Sequence, residues 1–457
     1  MTVSNVLLIV VDALRWDHVG VYNEAINLTP NIDSLAEDSV VFDRCFANAS
    51  TTDPSMTTIM TGQYPLRHGI LNHGQEVTQG ELSSVAAVES LPMILQESHH
   101  TFAVSHKQRW HERGVDSYIH PQANSDRDGS ECRNDLLENT RTDGTSTFPL
   151  SYTPAEALTT LTTEVVQQRA EEDWFGYVHF MDTHIPYRPD YRLDEQRYTL
   201  DAFPNIAMET VVETLDGTHW GEYLEQLPDH IATTHDVIRT YQNGVHVVDS
   251  AIGALIHQLR ELEIYEDTAI ILTADHGESL TEHDIFFDHH GLYDVSLRVP
   301  LIIDAPGCSG RYDEFVQHFD IAPTVLDLLE KDYDSQQFDG VSLIGTKPKR
   351  EFVVAEESFV NRNSCIRTAE HKYIKSRESD RSCRYCGFEH GEPRQLFSTR
   401  EDREELENIA TEEPDLVDEL DAALEHWTEK TTQRRRESDI NFDRDLDREQ
   451  LEALGYL

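Results

Sequence analysis

Asn5-Val-Leu-Leu-Ile-Val-Val-Asp12 is an apolar run that stops on a carboxylate, and the same pattern recurs twice. Phe175-Gly-Tyr-Val-His-Phe-Met181 runs into Asp182-Thr-His184, and Ala269-Ile-Ile-Leu-Thr-Ala274 runs into Asp275-His276-Gly277-Glu278. Continuous apolar runs of this length, interleaved with helical patterns, mark strands buried on both faces of a parallel sheet. In open α/β sheets ligands bind outside the carboxyl ends of the strands. Three such endings bring Asp12, Asp182 with His184, and Asp275 with His276 to one edge, where oxygen and imidazole donors together suit a metal ion.

Length and charge set the outer limits. With 457 residues the chain has room for one large α/β domain and a smaller unit, and we expect a division into residues 1–345 and 346–457. Asp and Glu number 85 against 37 Lys and Arg, a formal net charge of −48. That sign disfavours a nucleic-acid partner, which needs a basic face. Acid spread through the whole chain suits a protein working in concentrated salt, where self-repulsion is screened. The apolar run at the N-terminus is short and has no basic segment before it, so it reads as a core strand rather than a signal peptide. No stretch approaches the ~20 apolar residues of a membrane helix. The expectation is a soluble, cytoplasmic protein of undetermined oligomeric state.

Two passages between the strands carry helix-start chemistry. Thr29-Pro30 places a capping residue before a proline suited to the first helical position. In Ala49-Ser-Thr-Thr-Asp-Pro-Ser-Met-Thr-Thr-Ile-Met-Thr-Gly62, Pro54 suits a first turn and Gly62 a stop, which puts Thr52 beside a helix N-terminus. A hydroxyl there is either a simple cap or, helped by free N–H groups and the helix dipole, a group able to ionise and hold a transferred anion. Six cysteines are no disulfide framework in a chain this long. Cys383-Arg-Tyr-Cys386 reads as two thiols on a surface loop, a redox pair, or half of a structural zinc site completed by Cys365, His371 or His390.

These passages, taken in order, resemble the sulfatase family of the alkaline phosphatase superfamily. The likeness runs through Asn5 to His18, Thr29-Pro-Asn-Ile-Asp-Ser-Leu-Ala36, Thr52-x-Pro54-Ser55 and Thr61-Gly-Gln-Tyr-Pro-Leu-Arg-His-Gly69. It continues in Tyr177 to Tyr187, Asn243 to Gly253, Thr273-Ala-Asp-His-Gly-Glu278, His289-His-Gly-Leu-Tyr293, Leu297 to Ile302, and Arg394-Gln-Leu-Phe397 before Glu407-Asn-Ile-Ala410. It is weakest over residues 108–150 and 190–235, the segments expected to wall the substrate pocket. The resemblance implies a mostly parallel sheet sandwiched by helices, followed by a smaller α+β subdomain; the acidic and basic end from Lys430 onward reads as a last helix around residues 445–454. The resemblance also implies Asp12, Asp275, His276 and Thr52 around one divalent cation, with Thr52 as nucleophile. His184 and His290 fall where the family binds the transferred oxygens or protonates the leaving group. His106 and Lys107 fall near the family's active-site lysine, although Lys107 reads equally well as a surface charge.

The departures from the family pattern bear on the chemistry. Sulfatases carry a Cys, or in some bacteria a Ser, that is oxidised to formylglycine, with an Arg two residues after the proline. Here Thr52 and Met56 stand at those places, and the usual Asp-Asp pair of the first strand is Asp12-Ala13. Oxygen ligands with one His suit Mg²⁺, Ca²⁺ or Mn²⁺, with Zn²⁺ also compatible. The expected activity is hydrolysis of phosphate mono- or diesters or phosphonate esters. Open alternatives are a sulfate ester hydrolase, a transferase moving a charged head group onto a glycan, and a silent binder of an anionic glycan. The expected partner is a small anionic ester or a sulfated or phosphorylated glycan.

Overall fold

The computed structural model describes residues 3–106, 109–120, 153–185, 187, 192–345, 348–358, 362–377, 383 and 387–442. The three apolar runs form neighbouring strands: β1 (Asn5–Val11), β5 (Trp174–Phe180) and β6 (Thr268–Ala274). β1 is the middle strand and pairs in parallel with both, Val11 lying opposite Phe180 on one side and Ala274 on the other. All seven residues of each strand are buried, which is why they alternate so little in polarity. The remaining strands of this sheet are β2 (Val40–Phe46), β3 (His100–Val104), β4 (Ser117–Ile119), β7 (Arg298–Val299), β8 (Leu301–Asp304) and β9 (Gly310–Gln317). The order is β4-β3-β5-β1-β6-β8-β2-β7, with β9 also on β2. Pairing is parallel from β4 through β6 and turns antiparallel at β8. The fold is therefore the mixed α/β arrangement expected, a large mostly parallel sheet with helices on it.

The helix Thr234–Glu261 brings two distant parts of the chain to the sheet edge. It starts in a capping box between Thr233 and Asp236, and buries Val237, Tyr241, Val245, Val248, Ile252, Leu255 and Leu259 at helical spacing. The Tyr241 hydroxyl donates to Ala13 O at 2.8 Å and accepts from Arg15 N at 3.0 Å, which holds the turn after Asp12. Asp249 accepts from the N–H groups of Asn31 (3.0 Å) and Ile32 (2.8 Å), at the start of the helix Pro30–Ala36. Thr29 occupies the cap position there without capping. Its Oγ1 accepts from Gly20 N and donates to Asp33, so the job passes to a carboxylate from the neighbouring helix.

A second, antiparallel sheet follows: β10 (Phe352–Glu357), β11 (Asn363–Thr368), β12 (His371–Ser376) and β13 (Arg394–Ser398), in that order. One of its faces packs Val353, Ala355, Cys365 and Ile374 against Phe46 and Phe315 of the large sheet. The helix Pro414–Phe442 covers the other with Val417, Leu420 and Leu424. The helix expected at 445–454 lies outside the described residues. Among the described residues no helix is long and apolar enough to cross a membrane.

Candidate active site

Register brings the strand ends together. Because Val11 and Ala274 are partners, the next residues, Asp12 and Asp275, emerge side by side at the carboxyl edge, and both are fully buried. The backbone leaves β1 through Ala13, whose φ of 56 lies in the left-handed region. Its N–H then donates to Asp275 Oδ1 at 3.1 Å, as does the N–H of His276 at 2.9 Å. Ala13, standing where the family has a second aspartate, thus contributes a backbone donor that orients the other carboxylate.

Thr52 is the first residue of the helix Thr52–Thr61, which ends at Gly62 with φ +62. Its Oγ1 lies 3.4 Å from Asp12 Oδ2 and 3.4 Å from His276 Nε2. His276 Nε2 is also 3.5 Å from Asp275 Oδ2 and 3.8 Å from Asp12 Oδ1. The structure thus brings Asp12, Thr52, Asp275 and His276 into one cluster. Met56, further along the same helix, is completely buried.

Two residues join them that the sequence did not single out. His179, one position before Phe180, whose carbonyl accepts from Asp12 N, puts Nε2 3.3 Å from Asp12 Oδ2 and 3.9 Å from Asp275 Oδ2. Donor atoms of Asp12, His179 and Asp275 lie within 4.8 Å of one another. A lone histidine inside an otherwise apolar strand was the signal for it, since a buried polar group needs a partner. His289 is the other: its ring centre is 4.3 Å from that of His276 and 6.2 Å from that of His184, and its Nδ1 donates to Ser50 O at 2.6 Å.

The remaining expected residues are placed as follows. His184 follows β5, with Nδ1 donating to Ile185 O at 2.5 Å. Asp182 is buried, and its backbone carbonyl packs on Gly244 of the long helix. His290 has Nδ1 3.1 Å from Asp288 Oδ2 and Nε2 2.9 Å from His390 Nε2. His106 accepts from Thr153 N at 2.9 Å and packs near His120, away from the contacts that converge on Thr52. Lys107 and Cys386 lie outside the described residues. Beside Thr52, Asp53 Oδ2 is 3.2 Å from His73 Nδ1, and Asp53 Oδ1 is 3.3 Å from His111 Nε2.

Asp12 and His276 are shifted in the directions that suit metal ligands. Burial works to raise the Asp12 pKa, but the neighbouring His184, the hydrogen bond from His179 and the neighbouring His276 outweigh it and hold the carboxylate well below its ordinary range. Burial pushes His276 down to about 4 against the pull of Asp12. Ionised carboxylate and neutral imidazole are the forms that ligate cations. Asp12 Oδ1, fully buried, accepts no hydrogen bond, an arrangement that is costly until a cation or donor meets it. The donor set therefore fits a divalent ion.

The sulfatase family model matches residues 4–331, which includes every member of this cluster. The chain belongs to the sulfatase family of the alkaline phosphatase superfamily. Among curated sulfatases, human iduronate 2-sulfatase is 26% identical over 357 residues, 68% of this chain and 61% of that protein. Choline-sulfatase of Rhizobium meliloti is 29% identical over 205 residues, 41% of this chain and 37% of that one. The match to these sulfatases thus spans less than two thirds of their length. Among solved structures, phosphonate monoester hydrolase from Silicibacter pomeroyi superposes with a TM-score of 0.66 at 19% identity, covering 95% of both chains. A 2-O GAG sulfatase gives 0.69 at 18% identity, covering 96% of this chain and 94% of that one. Both likenesses concern the fold, which the sulfatase-family chain shares almost end to end.

Proposed function

We propose that this chain is a metal-dependent esterase that uses Thr52 to attack phosphorus in phosphate mono- or diesters or phosphonate esters, in preference to sulfate esters. The observation that carries the reading is the Thr52 hydroxyl at 3.4 Å from both Asp12 Oδ2 and His276 Nε2, at a helix N-terminus. Asp12, Asp275, His179 and His276 would hold the cation, with Thr52 alongside. Two carboxylates and two imidazoles are richer in nitrogen than Mg²⁺ or Ca²⁺ sites and suit Mn²⁺ or Zn²⁺ better. A cation bound there supplies Lewis-acid stabilisation of charge on the transferred group.

The chain's own residues account for the rest. Thr52 Oγ1, ionised at the helix N-terminus with its proton released to solvent, forms the bond to phosphorus. The N-terminal N–H groups of the helix Thr52–Thr61 favour the anionic oxygens of the transferred group. His184 has Nδ1 tied to a backbone carbonyl, which leaves Nε2 to protonate the departing oxygen. His289 is kept neutral by burial and by His276. With its Nδ1–H held by Ser50 O, its Nε2, 3.9 Å from Asp288 Oδ1, takes a proton from the water or alcohol that releases the phosphorylated Thr52.

The preference for phosphorus rests on residue 52. Formylglycine, as the sulfatase resemblance implies, expels sulfate by collapsing to an aldehyde, and a threonine ester has no such exit. A phosphorylated threonine can still be displaced in line. The sulfate ester hydrolase remains the competing reading, because the curated relatives above are sulfatases by name. The test is mass spectrometry of the intermediate trapped with an aryl phosphonate, together with turnover of Thr52 variants. Covalent mass should map to Thr52, Thr52→Ala should abolish turnover, and Thr52→Ser should retain part of it. If Thr52→Ala keeps full turnover the assignment is wrong, and Ser50, Thr51 and Ser55 are the hydroxyls to examine.

A further inference from the structure

A second cluster of metal-binding side chains lies where the loop after β6 meets the C-terminal subdomain. Donor atoms of His290, Cys383 and His390 all fall within 4.8 Å of one another, with His290 and Cys383 buried and His390 partly so. His290 Nε2 is 2.9 Å from His390 Nε2 and 3.7 Å from Cys383 Sγ. Ligands around a tetrahedral Zn²⁺, at about 2.0 Å for nitrogen and 2.3 Å for sulfur, stand roughly 3.3 to 3.6 Å apart, so an ion fits with a small opening of the pair of imidazoles.

The surroundings favour ligation over a chance meeting. Asp288 Oδ2 stands 3.1 Å from His290 Nδ1 and favours a proton on that nitrogen, which leaves Nε2 to ligate, as behind many metal-bound imidazoles. Two backbone hydrogen bonds hold Cys383 to the segment leading to His390: Gly387 N donates to Cys383 O at 2.9 Å, and Cys383 N donates to Phe388 O at 2.8 Å. Gly387 adopts φ +73, and the backbone that follows it brings His390 to the thiol. The other partners considered for Cys383 are placed elsewhere. Cys365 is packed among Phe46, Ile374 and Phe397, where burial pushes its thiol up to about 12, and His371 opens β12.

We propose that His290, Cys383 and His390 bind a zinc ion, at a site separate from the catalytic cluster and of softer donor character. Thiolate with two imidazoles selects Zn²⁺ over Mg²⁺, Ca²⁺ and Mn²⁺. The ion clasps the loop that carries His289, in contact with His276, to the C-terminal subdomain. Gly291 N, donating to Glu357 Oε1 at 3.0 Å, makes a second tie across the same seam.

The test is Co²⁺ titration of the full chain at high salt under a non-coordinating reductant, read by absorption. Wild type should develop a thiolate-to-cobalt charge-transfer band that one equivalent of Zn²⁺ removes. Cys383→Ser should lose the band, and His390→Ala, a change at a partly exposed position, should lose or weaken it. Asp12→Asn should keep it, which separates this site from the catalytic one. Asp288→Asn should lower Co²⁺ affinity roughly 10–100-fold. Absence of the band in wild type, its survival in Cys383→Ser or unchanged in His390→Ala, or its loss in Asp12→Asn overturns the proposal.

Discussion

Glu356 couples the stability of this protein to pH through a buried carboxyl behind the nucleophile. It lies in β10, and its N–H donates to Asn48 O at 3.0 Å, so its strand braces the segment leading to Thr52. Burial, only partly offset by the Ser364 hydroxyl at 2.6 Å and the charge of Arg377, raises its pKa to about 7. In the unfolded chain the value is about 4.3. The folded state therefore holds the proton more tightly. The stabilisation is fully present below the unfolded pKa and is lost as pH rises through about 7. A gap of about 2.7 units corresponds to about 4 kcal/mol as an upper bound. Glu356→Gln keeps an acceptor for Ser364 and removes the titration. Relative to wild type, the variant should gain roughly 2–3 kcal/mol between about pH 5 and about pH 8. The assay is denaturant unfolding of both proteins at constant molar salt across that range. A difference between them that stays constant with pH refutes the reasoning.

Three further outcomes follow from other parts of the molecule. A Cβ added at Gly244 would fall on the carbonyl oxygen of Asp182, so Gly244→Ala should destabilise by about 1–3 kcal/mol despite alanine's better helix propensity, and lower turnover by shifting His184; thermal unfolding and kcat measure the two. Lys372 is fully buried between Asp294 (2.8 Å) and Glu405 (2.9 Å), and Lys372→Met should cost about 3–5 kcal/mol by leaving the carboxylates under-compensated, read from denaturant midpoints. With a net charge of −48, unfolding midpoints should fall as salt drops from molar, where the Debye length is about 3 Å, to 0.1 M, where it is ~10 Å. Midpoints that do not move would show that self-repulsion is not a term in its stability.

Sequence carried the sheet edge and four members of the candidate cluster, Asp12, Thr52, Asp275 and His276, because burial and chemistry coincide there. Strands buried on both faces read as apolar runs, and the carboxylates that end them, Asp12 and Asp275, break that pattern conspicuously. Thr52 was legible because Pro54 and Gly62 bracket its helix. What escaped depends on contacts between residues far apart in the chain. His179 matters only once β5 is known to lie beside β1. His289 and His290 are neighbours in a loop without periodicity, and only the tertiary structure assigns one to His276 and the other to Cys383 and His390. The cap from Asp249 to the helix at Pro30, and the approach of His111 to Asp53, are likewise tertiary matters.

The most direct test of the account is the ratio of kcat/KM for matched aryl phosphonate, aryl phosphate and aryl sulfate esters, measured at molar salt with Mn²⁺ or Zn²⁺ supplied. The account predicts that the phosphorus esters are preferred and that Thr52→Ala abolishes their turnover. A wild-type preference for the sulfate ester contradicts it.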